Sequence, residues 1–359
     1  MLDIAIIGGG LAGLSLAQRL SSKPRTITVF EARDRWGGRI FCAPGADGFR
    51  YDLGPSWIWP EFQPRLAAMI NGEDIAVYRQ WSDGHSLYQS ERESPPQAYR
   101  DQGTYAAARR MRGGAYALVD TLLRQLPQGS LKLNHQLNKL IDCDEYIELH
   151  FTSPVGEFSV KAKQVVITIP PRLLVNTVAF EPALDQPLQQ AMQDTPTWMA
   201  GHAKVLLRYS HAFWREAGLS GNVIAPCQGA ILSEIFDAGA DDGAHAALSG
   251  FFAIPASLRN QYRDDLQPLV LEQLVRLFGS EAAQPTHFQM MDWFNESLTA
   301  VADDANLPTS HPQYGHPWLQ LDHWNDKLYF CGTETASDFG GYLEGALESA
   351  ERVGRLLLL

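Results

Sequence analysis

The sequence predicts an α/β fold in which a Rossmann-like domain is interleaved with a smaller α+β domain. Three features carry that prediction. The chain opens on a short apolar run followed by G-x-G-x-x-G. A second apolar segment ends in an acid 18 positions beyond the third glycine, and the chain closes on another stretch that reads strand, glycine turn, helix.

The opening is taken first. Ile4 to Ile7 form an apolar run of strand length, and Leu11, Leu14, Leu16 and Leu20 follow at helical spacings. Between them, Gly8, Gly10, Ala12 and Gly13 form the turn. The first glycine permits a tight turn, the second lets a pyrophosphate approach the backbone at a helix N-terminus, and the third lets helix and strand pack closely. "TITVFEA" supplies the next strand and ends at Glu31, where a carboxylate can accept hydrogen bonds from ribose hydroxyls and repel a 2′-phosphate. Ala32 and Arg33 follow, and Arg33, Arg35 and Arg39 surround the Gly37–Gly38 turn. Arginines beside a flexible turn suit a second approach to phosphate or ribityl oxygens.

The bulk properties narrow the function. The 359 residues are 45% hydrophobic and 19% charged, as in an ordinary globular protein large enough for two domains. A net charge of −12 argues against nucleic acid as a partner. Cys42, Cys143, Cys227 and Cys331 form no C-x-x-C pair, so no metal site and no disulfide framework is expected. The apolar start lacks a basic n-region, and the final "LLLL" is far short of the ~20 residues that span a bilayer. No membrane span is expected, and the cytoplasm is the expected location.

Farther along, residues 79–109 are polar, contain Pro95–Pro96, and read as a loop-rich connection. "MRGGAYALVDTLLRQL" is a glycine turn followed by an amphipathic helix. "YIELHF" and "FSVKAK" alternate like half-buried antiparallel strands, and "QVVITI" reads as a fully buried one. Lys204 lies in the apolar strand "HAKVLLRY" on the same face as Leu206. At the end, Leu328 to Cys331 read as a strand, Gly332 opens a turn, and Leu343, Leu347, Ala350, Val353 and Leu357 mark one helical face. The positive end of that helix suits a ring that gains negative charge on reduction.

Together, "GGGLAG", "EARDRWGGR" and the closing "GTETASDFGGYLEGA" resemble the motifs of the flavin-containing amine oxidase family, and the resemblance runs through nearly the whole chain. It implies FAD as cofactor, in a Rossmann-like FAD-binding domain of the GR2 type. It also implies a FAD-binding domain of residues 1–75, 110–195 and 296–359 and a substrate domain of 76–109 and 196–295. By the same resemblance, Gly54, Pro55, Ser56 and Trp57 pass beside the flavin, and Leu137 packs near the adenine. Lys204 becomes the lysine that binds a water at flavin N5, and Trp293 lies against the ring. Gly332, Glu334, Gly341, Tyr342 and Leu343 form the closing flavin motif, with Tyr342 walling the substrate site.

The implied catalytic set is Lys204, Tyr342 and Trp293. The implied activity is oxidation of an amine C–N bond by hydride transfer to the flavin, with O2 reduced to H2O2. The sequence departs from the family at "SLTAVADD", where Ala302 and Asp303 replace an aromatic pair and its cysteine. That departure implies non-covalent FAD and a substrate cage that has lost one wall. Two other readings stay open: a renalase-like oxidase of reduced pyridine nucleotides, and a non-catalytic FAD-binding partner protein. Substrate identity and oligomeric state are left open.

Overall fold

The computed structural model of the chain describes every residue except 102, 104, 106, 306–309 and 359. Its first sheet is built around strand Leu2–Ile7, which pairs in parallel with Ile27–Phe30 on one side and with Gly156–Ile167 on the other. Period-two alternation splits the opening run between two cores. Ile4 and Ile6 meet helices Leu11–Leu20, Tyr116–Gln125 and Leu343–Leu358, whereas Ala5 and Ile7 face Leu137, Leu140, Val165 and Leu174. The closing helix buries Leu347, Val353 and Leu357 against this core. Each such side chain contributes roughly 1.5–3 kcal/mol.

"FSVKAK" and "QVVITI" form one 12-residue strand, Gly156–Ile167, rather than two. Its first half pairs with antiparallel Ile147–Ser153; its second half lies between parallel Leu2–Ile7 and Leu328–Phe330. The change from alternating to continuous apolarity therefore marks a change of neighbours within one strand.

A second sheet runs in the order His287–Asp292, Ala203–Arg208, Ala247–Phe252, Leu232–Asp237, Leu219–Ile224, His85–Tyr88, Gln97–Tyr99. Helix Leu266–Phe278 covers one face, where Val205, Leu207, Leu248 and Ile235 are buried. The opposite face carries Leu206, Phe236 and Ala247 and packs on Ala43, Tyr51 and Leu53. The loop-rich reading of 79–109 is corrected here: His85–Tyr88 and Gln97–Tyr99 extend this sheet, and Arg109–Met111 pairs with Val77–Arg79. Residues 102, 104 and 106 of that segment lie outside the described residues, as does Leu359 of the apolar tail. Strands this short carry little periodicity of their own; pairing defines them, of His85–Tyr88 with Leu219–Ile224, of Gln97–Tyr99 with His85–Tyr88, and of Arg109–Met111 with Val77–Arg79. Among the described residues, no helix is long and apolar enough to cross a membrane.

Candidate active site

A cavity of about 1430 Å³ runs between the two sheets. Ordinary ligand pockets hold roughly 300–1,000 Å³. This cavity thus has room for an elongated ligand and a second molecule beside it.

One end is lined by Gly8, Gly10, Ala12, Glu31, Ala32, Arg33, Gly38, Arg39 and Leu137. Helix Leu11–Leu20 starts here with Gly10 as its N-cap. A Cβ on Gly10 would meet no protein atom closer than 3.9 Å, so the bare backbone is open to the cavity. A Cβ on Gly13 would lie 2.1 Å from the Gly8 carbonyl oxygen; Gly13 serves helix–strand packing and does not line the cavity. Glu31 is held by the main chain: its carboxylate accepts from the Gly9 N–H at 2.8 Å and the Arg33 N–H at 2.9 Å. Arg33 donates to the Thr299 hydroxyl at 2.7 Å.

Arg39 forms a bidentate pair with Glu334, at 2.6 and 2.9 Å. Glu334 is fully buried and does not line the cavity, so it reaches the site only through Arg39. The sequence placed it among the cofactor-binding residues; in the structure it lies behind Arg39, away from the cavity lining.

At the centre of the cavity lie Gly54, Pro55, Ser56, Trp57, Trp293, Gly332, Gly341, Tyr342 and Leu343. Lys204 reaches here from its strand, donating to the Gly54 carbonyl at 3.0 Å and the Ser56 hydroxyl at 2.5 Å. Its ammonium also lies 5.1 and 5.2 Å from the ring centroids of Phe236 and Phe251. Burial lowers its pKa to about 8, although Asp52 opposes the shift. Trp293 donates to the Leu53 carbonyl at 3.1 Å, and its own N–H bonds the His202 carbonyl at 3.0 Å. The buried Arg259–Asp292 pair, with two contacts of 2.7 Å, fixes the residue before it.

Tyr342 is 39% exposed and stacks on His311 at 5.1 Å and 7°. Gly341, at φ +84°, lies against Trp198, where a Cβ would come within 3.0 Å of the indole. His311 and Trp198 are themselves 4.5 Å apart. Tyr342 therefore stands among aromatic neighbours that the sequence reading missed. The available signal was "TPTWMAGH", just before the Lys204 strand. Asp303 lies outside the cavity lining and accepts from the Gln193 side chain at 3.1 Å.

The far end belongs to the second sheet and its loops, including Ala225–Ala230, Ser233, Glu234, Phe251 and Leu258. His202 also lines the cavity; its Nδ1 is buried without a hydrogen-bond partner among the described residues. Burial, reinforced by Arg259, lowers its pKa to about 4, so its ring is neutral at physiological pH. Cys227 is the cysteine that lines the cavity among the described residues.

These residues suit a dinucleotide flavin: an open backbone at a helix N-terminus, an acid poised for ribose, and a second helix N-terminus at Leu343 beside the central chamber. A family profile described as flavin containing amine oxidoreductase matches residues 88–358. The chain belongs to this family. An NAD(P)-binding Rossmann-like domain profile matches residues 6–72.

This flavin-containing amine oxidoreductase is 30% identical to a flavin-containing amine oxidase of Danio rerio over 251 residues, which are 69% of this chain and 46% of that protein. It is 23% identical to flavin-containing amine oxidase A of Equus caballus, over 100% of this chain and 85% of that one. Its fold superposes on putrescine oxidase bound to putrescine with a TM-score of 0.82, at 17% identity and 99% coverage of both chains. Cyclohexylamine oxidase from Brevibacterium oxydans IH-35A gives 0.80, at 18% identity, over 99% of this chain and 98% of that one. The protein is a flavin-dependent oxidoreductase of the amine oxidase family, with FAD as its cofactor and the α/β Rossmann-type fold. Neither the renalase-like reading nor the non-catalytic one is favoured by these relatives.

Proposed function

We propose that the protein oxidises an amine at the carbon bearing nitrogen and uses O2 as electron acceptor. FAD, held non-covalently, would supply the two-electron chemistry: it would accept the hydride equivalent lost from the substrate α-carbon and pass the electron pair to O2 to give H2O2, and water would hydrolyse the imine product. In this reading residues 1–75, 110–195 and 296–359 hold FAD, while 76–109 and 196–295 hold substrate. Gly10 and the first-helix N-terminus receive the pyrophosphate, Glu31 the ribose, and Gly341, Tyr342 and Leu343 the ring.

The observation that carries the proposal is the placement of Lys204. A buried lysine with a lowered pKa bonds Gly54 and Ser56 at the central chamber. Its positive charge favours electron delivery to O2, and its acidity near neutral pH suits proton relay through water. Tyr342 with Trp198 frames the amine, and Trp293, anchored on Leu53, fixes the chamber wall. Trp198 thus stands in for the wall lost at Ala302 and Asp303. The cytoplasm is the proposed location.

The test is anaerobic mixing of the holoenzyme with primary, secondary and polyamines and with reduced nicotinamides, while the visible flavin absorbance is followed. Bleaching by amines, followed by H2O2 formation on admitting air, is expected. Bleaching by nicotinamides alone would overturn the amine assignment. Release of flavin from acid-denatured protein tests the non-covalent link, including to Cys227.

A further inference from the structure

Lys204 carries a charge that the protein buries without an acid beside it. The residue is 2% exposed, and among the described residues no carboxylate forms an ion pair with it. Its hydrogen-bond partners, the Gly54 carbonyl and the Ser56 hydroxyl, are uncharged. Other buried cations at this sheet are built differently: Arg259 pairs with Asp292, and Arg215 with Asp237. A buried ion without a partner is costly, so other groups must hold this one.

The strands supply two phenyl faces. Lys204 lies opposite Phe251, and Phe251 opposite Glu234. Phe236 follows Glu234 by two positions and shares that face of the sheet. The ammonium lies 5.1 Å from the Phe236 ring centroid and 5.2 Å from that of Phe251, and the two rings are 6.1 Å apart. Both contacts fall inside the ~6 Å reach of a cation–π interaction, which is strongest where water is excluded. Trp57 packs on both rings, at 4.5 and 6.3 Å, and its indole N–H is anchored on Gln80 at 2.9 Å.

The ionisable groups around Lys204 offset little of its charge. Asp52 is paired with Arg110 at 3.5 Å, and both are buried. The Cys42 thiol, pushed up by burial and Asp52, stays protonated and donates to Asp52 at 3.1 Å. His202, two positions earlier on the same side of the chain, is neutral at physiological pH. Asp292, beside Met291 on the adjacent strand, is taken by Arg259, and Asp237, beside Phe236, by Arg215. Glu234, two strands away, accepts from the Tyr105 hydroxyl at 2.5 Å.

We propose that Phe236 and Phe251 are positioning residues for electron delivery to O2: their faces hold the Lys204 ammonium in its charged form, in place of a carboxylate. This rests on the role proposed for Lys204 in the oxygen step and adds what sustains its charge. The choice of partner matters chemically. A lysine–carboxylate pair has no net charge, whereas a ring face stabilises a cation and brings no charge of its own. The full positive charge thus remains available to the anion that forms as O2 takes up electrons.

Two readouts on the holoenzyme need no amine. One is the rate at which dithionite-reduced protein is reoxidised by O2 across pH; the other is the pH dependence of the visible flavin spectrum in the resting protein. Each is expected to show an inflection near pH 8 in the wild type that Lys204→Met removes. Phe251→Leu and Phe236→Leu are each expected to lower that inflection by about one pH unit, so that reoxidation at pH 8 slows about fivefold. Phe251→Tyr, which keeps a ring face, should leave it in place. Phenylalanine analogues bearing one, two or three ring fluorines at position 251 keep the packing and weaken the face, and should lower the inflection in graded steps. An inflection that stays fixed under fluorination, or rises in the leucine variants, overturns the inference, because the rings then only fill space. If the wild type shows no inflection that Lys204→Met removes, the role of Lys204 falls and this inference with it. Amine bleaching is a separate measurement, so the amine assignment and this inference can fail independently.

Discussion

The two ends of the cavity are built on opposite principles. At the nucleotide end the polar groups are already bonded to the protein: Glu31 to main-chain N–H groups, Arg39 to Glu334, Arg33 to Thr299. At the end formed by the second sheet they are bonded less fully. His202 Nδ1 has no hydrogen-bond partner among the described residues, and Glu234 has one, Tyr105. The first end is shaped before its ligand arrives and can hold a constant cofactor. The second retains unsatisfied capacity, and unpaired groups of that kind discriminate between substrates because a ligand that fails to pair them leaves them desolvated.

The comparison can be broken most severely at Asp292. Arg259 is 1% exposed and pairs with Asp292 through two contacts. Asp292→Ala leaves a buried cation unpaired and is expected to cost about 3–5 kcal/mol, read by denaturant unfolding. Its effect should exceed that of any single change at the nucleotide end, because there the main chain supplies much of the pairing.

Lys204→Met comes next. Loss of the charge is expected to slow reoxidation of the reduced protein by O2 about 100-fold. In the wild type, lysine with a pKa of about 8 is charged below that pH and neutral above it. Reoxidation should therefore decline as pH rises through about 8, and the inflection should vanish in the methionine variant. A persistent inflection there would assign it to another group.

A paired substitution separates ligand binding from folding at the nucleotide end. Gly10→Ala adds a methyl that meets no protein atom closer than 3.9 Å. It should weaken FAD binding about tenfold, or about 1.4 kcal/mol, and leave apoprotein stability nearly unchanged. Gly13→Ala, whose methyl would lie 2.1 Å from a backbone oxygen, should destabilise the apoprotein itself by about 1–3 kcal/mol. Titration with FAD alongside apoprotein melting distinguishes the two. The smallest effect is expected at Asp303→Ala: within about 0.5 kcal/mol in stability, with amine kinetics unchanged, since the carboxylate faces Gln193 and not the cavity.

The nucleotide end was legible in the sequence because its parts are local. The glycines, the first helix and Glu31 lie within one strand–helix–strand unit, and the backbone rules of that unit leave few alternatives. The closing turn and helix were legible for the same reason. Lys204 could be placed on a buried strand face by alternation, but its partners Gly54 and Ser56 lie 150 and 148 positions away. Residues 79–109 read as loop because their strands are only three or four residues long and take their definition from pairing, His85–Tyr88 with the distant Leu219–Ile224.

What the sequence by itself determined was the α/β plan, the opening strand–glycine turn–helix and the closing strand–turn–helix, where each element follows from neighbours in the chain. Tertiary structure alone decided that Trp198 and His311 join Tyr342, that Glu334 stands behind Arg39, and that Glu234 shares a row with Lys204. The reason is physical. Cross-strand register and long-range packing are set by the whole sheet, and a shift of one residue in any strand would turn the same side chains to the opposite face.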